Sequence, residues 1–138
     1  MRARRRADRG SGPVEVALVA PVFMALLMVV IYAGRVSQAQ NEVQSAAAAA
    51  ARAASQSSEA LATGRAADVA LDNLDSSEIT CASSDVYVDL DNFEPGGTVQ
   101  VTVWCSTPLD DLMFLDFPWQ RRLGATSTEV IDTYRGGE

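Results

Sequence analysis

Residues 10–33 read GSGPVEVALVAPVFMALLMVVIYA and decide the fold of this 138-residue chain. The eighteen positions from Val16 to Ala33 carry no charged side chain. At about 1.5 Å per helical residue they extend over about 27 Å, close to the hydrocarbon thickness of a bilayer. The sequence therefore predicts one helix that crosses a membrane.

Basic residues flank this run unequally, and the imbalance predicts its orientation. Only Arg35 follows it closely, whereas the leader in front of it carries five arginines: Arg2, Arg4, Arg5, Arg6 and Arg9. Because positive charge is retained on the cytoplasmic side, we expect a cytoplasmic N-terminus and an extracytoplasmic chain after Arg35.

Three residues at the start of the run need separate explanations. Pro13 suits the first turn of a helix, where its missing N–H is not needed. Glu15 is then expected in that first turn, where a carboxylate interacts favourably with the helix dipole by about 0.3–1 kcal/mol. Pro21 lies inside the span, and membrane helices tolerate such a proline when neighbours satisfy the freed carbonyl.

The composition excludes several classes of function. The chain has no His and no Lys, so the usual general base and nitrogen metal ligand are missing. From residue 36 onward five Arg stand against sixteen Asp and Glu, a net charge of −11 that disfavours nucleic-acid binding. Two cysteines are too few for a zinc site. We therefore expect no metal, no cofactor, no catalytic residues and no enzyme activity.

An alanine-rich stretch predicts that the membrane helix continues outside the membrane. No strong helix breaker occurs between Arg35 and about Thr63, and Gly64 is a plausible cap of the helix C-terminus. The positions expected on one face are Val36, Val43, Ala47, Ala50, Ala54 and Leu61. A second short helix is expected over 66–74, with Val69, Ala70 and Leu74 as its apolar positions.

Alternating residues after Ser76 predict a β-hairpin. Apolar residues recur at every second position, as Val86, Val88 and Leu90 in the first stretch and as valines over 99–103 in the second, and 91–97 carries turn residues. Keeping both valine sets on one face pairs Val86 with Val101 and sets Cys105 opposite Ala82. Leu123 to Tyr134 is expected to form a last strand.

Cys81 and Cys105 are expected to form a disulfide, because an even pair in a small extracytoplasmic domain usually does so. A bulge or a strand end at Cys81 would permit the bond. Closing a loop of roughly 24 residues stabilises the fold by about 3 kcal/mol.

The stretch 110–119, DDLMFLDFPW, combines acids with an apolar and aromatic cluster. It is interpreted either as a loop or short helix that packs over the sheet or as an exposed patch that contacts a partner. The residues of this possible partner patch are Leu112, Met113, Phe114, Phe117 and Trp119.

The N-terminal residues resemble a known signal. A basic leader ending in Gly10, four residues, Glu15 and an apolar helix resemble the processing signal of type IV pilin-like proteins. The string RGSGPVEVALVAP over 9–21 resembles more specifically the TadE-like pseudopilin family of tight-adherence pilus systems, with its Arg-Gly, Val-Glu, Ala-Leu and Pro spacings. Pro13, and Val16 where pilin-type signals often carry an aromatic residue, depart from the general pattern.

This resemblance implies a minor pilin or pseudopilin that takes part in pilus assembly. It implies cleavage between Gly10 and Ser11 by a prepilin peptidase and association with other pilins through the N-terminal helix. Glu15 would then pair with the new α-amino group at Ser11 of a neighbouring subunit. The external domain would face other components of the pilus or envelope.

Two alternatives remain open at this point. The chain is either an uncleaved single-span envelope protein with an external binding domain, or a secreted domain with a signal peptide cut after Ser37-Gln38-Ala39.

The expected fold class is α+β: a long transmembrane helix that continues into an alanine-rich helix, followed by a small antiparallel, pilin-like β-sheet. The expected domains are a cytoplasmic leader over 1–10, the membrane helix over 11–34, a helical region over 35–75 and a disulfide-bonded β domain over 76–138.

Overall fold

The computed structural model describes residues 11–108 and 120–134 of the chain, and side chains within 15–108 and 121–134. The chain divides into two compact units, Met1–Arg35 and Val36–Glu138. The described elements are two helices and a three-stranded antiparallel sheet, which confirms the predicted α+β class.

Helix α1 spans Ser11–Ser55 and continues through Pro21. Its end corrects the expected continuation to about Thr63, because the chain leaves the helix at Gln56–Ser58. Serine hydroxyls at this helix end donate to carbonyls of the last turns: Ser55, the last residue of α1, to Arg52 O at 2.9 Å, and Ser57 of the connection to Ala53 O at 2.8 Å. Local side-chain bonds of this kind satisfy the carbonyls at a helix end without a glycine.

Helix α2 spans Glu59–Ser76 and packs against the first strand. It begins well before the expected 66–74, and Gly64 lies inside it rather than capping α1. Its buried residues recur at every fourth position: Ala62, Ala66, Ala70 and Leu74. The prediction that Leu61 shares the apolar face of α1 is wrong, since this residue lies in α2 and is 63% exposed, on the side of α2 opposite the buried residues.

The sheet consists of β1 (Ser83–Asn92), β2 (Thr98–Pro108) and β3 (Gln120–Val130) in the order β1-β2-β3, with both pairs antiparallel. The last strand therefore begins and ends earlier than the expected Leu123 to Tyr134. It ends at Val130 because Ile131 turns to the β1–β2 connection, where its N–H donates to Gly97 O at 2.9 Å and its carbonyl accepts from Gly96 N–H at 3.0 Å.

The hairpin register differs by two residues from the predicted one. Val86 pairs with Val103 rather than Val101, and Ser84 rather than Ala82 lies opposite Cys105. The turn accounts for the difference: Gly97 N–H donates to Glu94 O at 2.7 Å, and the pairing shifts at a bulge between Asp89 and Asn92. A shift of two positions keeps every valine on its predicted face.

The core of the second unit lies between the inner face of the sheet and the small side chains of the helices. The fully buried residues of β2 are Val99, Val101, Val103 and Cys105. The buried residues of α1 are Ala39, Val43, Ala46, Ala47, Ala50, Ala51 and Ala54. Alanine predominates because its small side chain lets a helix backbone approach its neighbours closely.

Candidate functional site

The apolar stretch of α1 presents large hydrophobic side chains to its surroundings. Leu18 is 71% exposed, Phe23 is 62% exposed and Val30 is 67% exposed, and the most apolar 18-residue window of this helix has no buried residue. Among the described residues one helix is long and apolar enough to cross a membrane. A contiguous surface of this size is unfavourable in water and favourable in a bilayer or against other apolar helices.

Glu15 is the only charged residue between Ser11 and Gly34, and its side chain is exposed. It is the fifth residue of α1, and the first turn of this helix contains no acid. This corrects the expectation that Glu15 lies in the first turn, and it weakens the helix-dipole explanation because the dipole acts mainly within that turn. An isolated carboxylate beside an apolar surface is costly unless a partner compensates it.

The predicted cleavage position lies at the edge of the described chain. Gly10 falls outside the described residues, and Ser11 is the first residue of α1. Cleavage there, and pairing of Glu15 with the Ser11 amine, stay predictions.

The two cysteines form the disulfide that the sequence predicts. The Cα atoms of Cys81 and Cys105 are 5.4 Å apart, and Cys105 is fully buried on β2. Cys81 lies in the connection before β1, which begins at Ser83, so the bond forms beyond the strand end. The bond fixes the connection between α2 and β1 to the middle strand.

The possible partner patch of Leu112, Met113, Phe114, Phe117 and Trp119 lies outside the described residues. The structure describes only the strand ends on either side of it, where Pro108 of β2 pairs with Gln120 of β3.

The outer face of the sheet contains a group that the sequence alone did not reveal. Arg122 of β3 lies 4.8 Å from the ring centroid of Trp104 on β2, and its Nη2 is 3.3 Å from Asp85 Oδ2 on β1. Strand alternation indicates that each residue is on the polar face. The contact with Asp85 depends on the β1–β2 register, which differs by two residues from the predicted one, and the contact with Trp104 depends on the β2–β3 register, which the sequence did not predict.

Polar groups in the part of the chain that the structure describes lie at the surface. No polar or charged residue there is buried, and no three His, Cys, Asp or Glu side chains cluster in a way that could hold a metal ion. The surfaces of α1 and of the sheet therefore remain the candidate functional regions.

Comparison with known proteins finds a family-model match in the first of these regions. Residues 10–52 match the model of the TadE-like protein family, which confirms the resemblance found in the N-terminal residues. The match begins at the predicted cleavage position Gly10 and covers most of α1. Neither a curated protein nor a solved structure gives a significant match to the chain.

Proposed function

We propose that this chain, whose residues 10–52 are TadE-like, is a minor pilin or pseudopilin that takes part in the assembly of a tight-adherence type pilus. The family match associates the chain with the proteins of such pili, a class of structural rather than catalytic proteins. The single observation that carries the proposal is the location of the match. It covers the motif around Glu15 and the exposed apolar helix, the parts that assembly would use.

In this proposal α1 anchors the precursor in the cytoplasmic membrane, with the N-terminus in the cytoplasm and the second unit outside. A disulfide supports this orientation, because disulfides persist in oxidising compartments. The exposed apolar side chains of α1 then contact lipid in the precursor and the helices of other pilins after assembly.

Cleavage by a prepilin peptidase between Gly10 and Ser11 changes the electrostatics of the helix start. It removes the five leader arginines and creates an α-amino group at Ser11. In a helix bundle from which water is excluded, Glu15 of one subunit pairs with that amine on its neighbour. Removing one partner from such a pair leaves an uncompensated charge, so assembly depends on both groups.

Mass spectrometry of the mature protein tests the processing step. We expect a chain that begins at Ser11, and we expect Gly10→Leu to retain the leader. Gly12→Leu is the matched control, since it changes a neighbouring glycine outside the cleaved bond. A mature protein that keeps Met1 and its leader would contradict the proposal and favour the uncleaved single-span protein.

Substitution of Glu15 tests the pairing step. Glu15→Gln is expected to abolish crosslinking to other pilins and to stop pilus assembly, because the amide cannot neutralise the Ser11 amine. Glu42→Gln, which changes the other acid of α1, is expected to leave both unchanged. Normal assembly by the Glu15→Gln variant would show that the proposed pairing is wrong.

The secreted-domain alternative makes a different prediction for the same mass measurement. A chain that begins at Gln40 and is free in the medium would support signal-peptide removal. Against it, Ala39 packs in the core of the second unit and Gln40 donates a hydrogen bond to Gly124 O at 2.9 Å. The residues on both sides of the Ala39–Gln40 peptide bond therefore contribute to the folded domain.

A further inference from the structure

The sheet has two edge strands, and they differ in how their outer edges are protected. β1 contacts α2 and contains the bulge between Asp89 and Asn92. β3 pairs with β2 in one unbroken register from Gln120 to Val130 and contains no proline and no lysine. Bulges, neighbouring helices, prolines and lysines are features by which natural sheets prevent further strand pairing. β3 is therefore the edge to which another strand can add.

Hydrogen bonds identify the backbone groups of β3 that point away from the sheet. In an antiparallel pair, the N–H and C=O groups of successive residues point alternately toward the partner strand and away from it. Ile131 bonds to Gly96 and Gly97 on the side of β2, whereas the carbonyl of Gly124 accepts from the side chain of Gln40. Odd-numbered residues of β3 therefore bond to β2, and even-numbered residues point to the outer edge.

The outer edge of β3 is open from Thr126 to Val130. Gln40 occupies this edge only at Gly124. Beyond that point, the backbone N–H and C=O groups of Thr126, Thr128 and Val130 have no hydrogen-bond partner among the residues that the structure describes, and their side chains are exposed. Threonine and valine also favour strands. This segment therefore offers an extended row of free donors and acceptors.

The charge at this end of the sheet indicates the chemistry of the added strand. The β1–β2 turn and the strand ends beside it carry five acids and no basic residue in the described part of the chain: Asp89, Asp91, Glu94, Glu129 and Asp132. Residues 135–138, outside that part, contain one Arg and one Glu and leave this balance unchanged.

Glu129 lies on β3 itself, within the open edge. Its side chain is half-buried and has no hydrogen-bond or ion-pair partner among the described residues. Like charges directly opposite each other destabilise a strand pair, and opposite charges stabilise it. A strand that pairs with this edge is therefore expected to carry a basic residue opposite Glu129.

We propose that the outer edge of β3 from Thr126 to Val130 binds an extended, basic segment of another protein, which joins the sheet as a fourth strand. Backbone hydrogen bonds to the even-numbered residues hold the segment, and its basic side chains select this end of the sheet. The inference uses contacts within the second unit alone. It goes beyond the proposed role in pilus assembly and does not depend on it.

The test uses the full chain in detergent micelles, with an octapeptide of alternating threonine and arginine as the probe. Hydrogen exchange followed by NMR measures the protection of single amides. We expect the N–H groups of Thr126 and Thr128 to exchange rapidly in the free protein and about tenfold more slowly with bound peptide. The N–H of Ser127, which faces β2, is the internal control because it is protected in both states.

Two further peptides separate backbone pairing from charge. An octapeptide of alternating threonine and glutamate is expected not to bind, because its acids face Glu129. The threonine–arginine peptide methylated at every backbone nitrogen keeps its charge but cannot donate to β3. It is expected to leave the exchange of Thr126 and Thr128 unchanged.

Variants of the protein test the same two terms. Thr128→Pro removes an N–H from the open edge, where proline is tolerated, and is expected to abolish peptide binding. Glu129→Gln keeps every backbone group and is expected to weaken binding about fivefold. Asp68→Asn, at an exposed acid of α2, is the matched control and is expected to have no effect. Unchanged amide shifts at Val99 and Val101 report that each variant is folded.

Equal binding of the arginine and glutamate peptides, or binding of the methylated peptide, would overturn the proposal. Protection of Thr126 and Thr128 that appears without peptide and increases with protein concentration would also overturn it. That result would assign the open edge to a second copy of this chain.

Discussion

The guanidinium carbon of Arg122 lies 4.8 Å from the centroid of the Trp104 ring, at diagonal positions of the neighbouring strands β2 and β3. Asp85, the direct partner of Trp104 on β1, holds the same guanidinium by an ion pair at 3.3 Å. One arginine therefore links side chains of all three strands. Each contact is exposed and contributes at most about 1 kcal/mol to the free energy of unfolding. The contacts therefore fix the orientation of these three side chains more than they stabilise the fold.

Gly124→Ala is expected to destabilise the second unit by about 1–3 kcal/mol. A Cβ at this position would overlap Cζ3 and Cε3 of the Trp104 ring, which lies over the glycine. The ring would have to turn away and lose its contact with Arg122. Thermal unfolding in detergent micelles, followed by circular dichroism and tryptophan fluorescence, measures the effect.

Gly64→Ala is the matched control for this substitution. A Cβ at Gly64 meets nothing within 4 Å, and the residue lies inside α2. Alanine there is expected to stabilise the helix by about 1 kcal/mol, because glycine is the poorer helix former. Equal effects of the two substitutions would contradict the close approach of Trp104 to Gly124.

Gly97→Ala is expected to destabilise the β1–β2 turn by about 3 kcal/mol, because a Cβ there would overlap the backbone carbonyl oxygen of Asn92. Backbone atoms cannot turn aside as a side chain can. Gly96→Ala should cost less, about 1 kcal/mol, since it opposes mainly the positive φ of 83° and a methyl of Thr133 at 3.0 Å. Chemical denaturation in micelles ranks the two variants. The reverse order would show that the turn has a different backbone conformation.

The folded protein is expected to contain no reactive thiol until it is reduced, because Cys81 and Cys105 are joined. Loss of the bond in the Cys81→Ser, Cys105→Ala double variant should lower the free energy of unfolding by about 3 kcal/mol. Alanine is chosen at Cys105 because this position is fully buried and a hydroxyl there would have no partner. Thiol titration with and without denaturant checks the first expectation. Two reactive thiols in the folded protein would rule out the disulfide.

Ala66→Leu is expected to destabilise the second unit by about 1–3 kcal/mol, since Ala66 is fully buried and its larger replacement has no space. Ala60→Leu, at an exposed position of the same helix, is expected to leave the midpoint of thermal unfolding nearly unchanged. This pair tests whether the alanines of the helices serve close packing. Tolerance of leucine at Ala66 would favour a compositional tract without a packing role.

The sheet shows which structural features the alternation of residues could predict and which it could not. Alternation over 86–90 and 99–103 correctly predicted two strands and the face that each valine occupies. It could not choose between pairing Val86 with Val101 or with Val103, because a shift of two residues leaves the alternation unchanged. The choice depends on the turn, where Glu94, Gly97 and the bulge before Asn92 set the loop length.

The boundary between the two helices likewise could not be predicted from local sequence. Glycine often follows the last residue of a helix, so the sequence predicted that the first helix ends at Gly64. The chain instead breaks at Gln56–Ser58, where serine hydroxyls satisfy the helix end, and Gly64 remains helical because the residues around it pack as α2. Packing of Ala62, Ala66 and Ala70 outweighs the preference of one residue.

The sequence by itself determined the uncharged run of residues 16–33, the motif around Glu15, the pairing of the two cysteines and the inner faces of β1 and β2. These features depend on residue type and on spacing between near neighbours, which the sequence contains directly. Only the tertiary structure decided the hairpin register, the break between the helices and the meeting of Arg122 with Trp104 and Asp85. Such contacts join residues distant along the chain, and their geometry follows from turns and packing that no local pattern specifies.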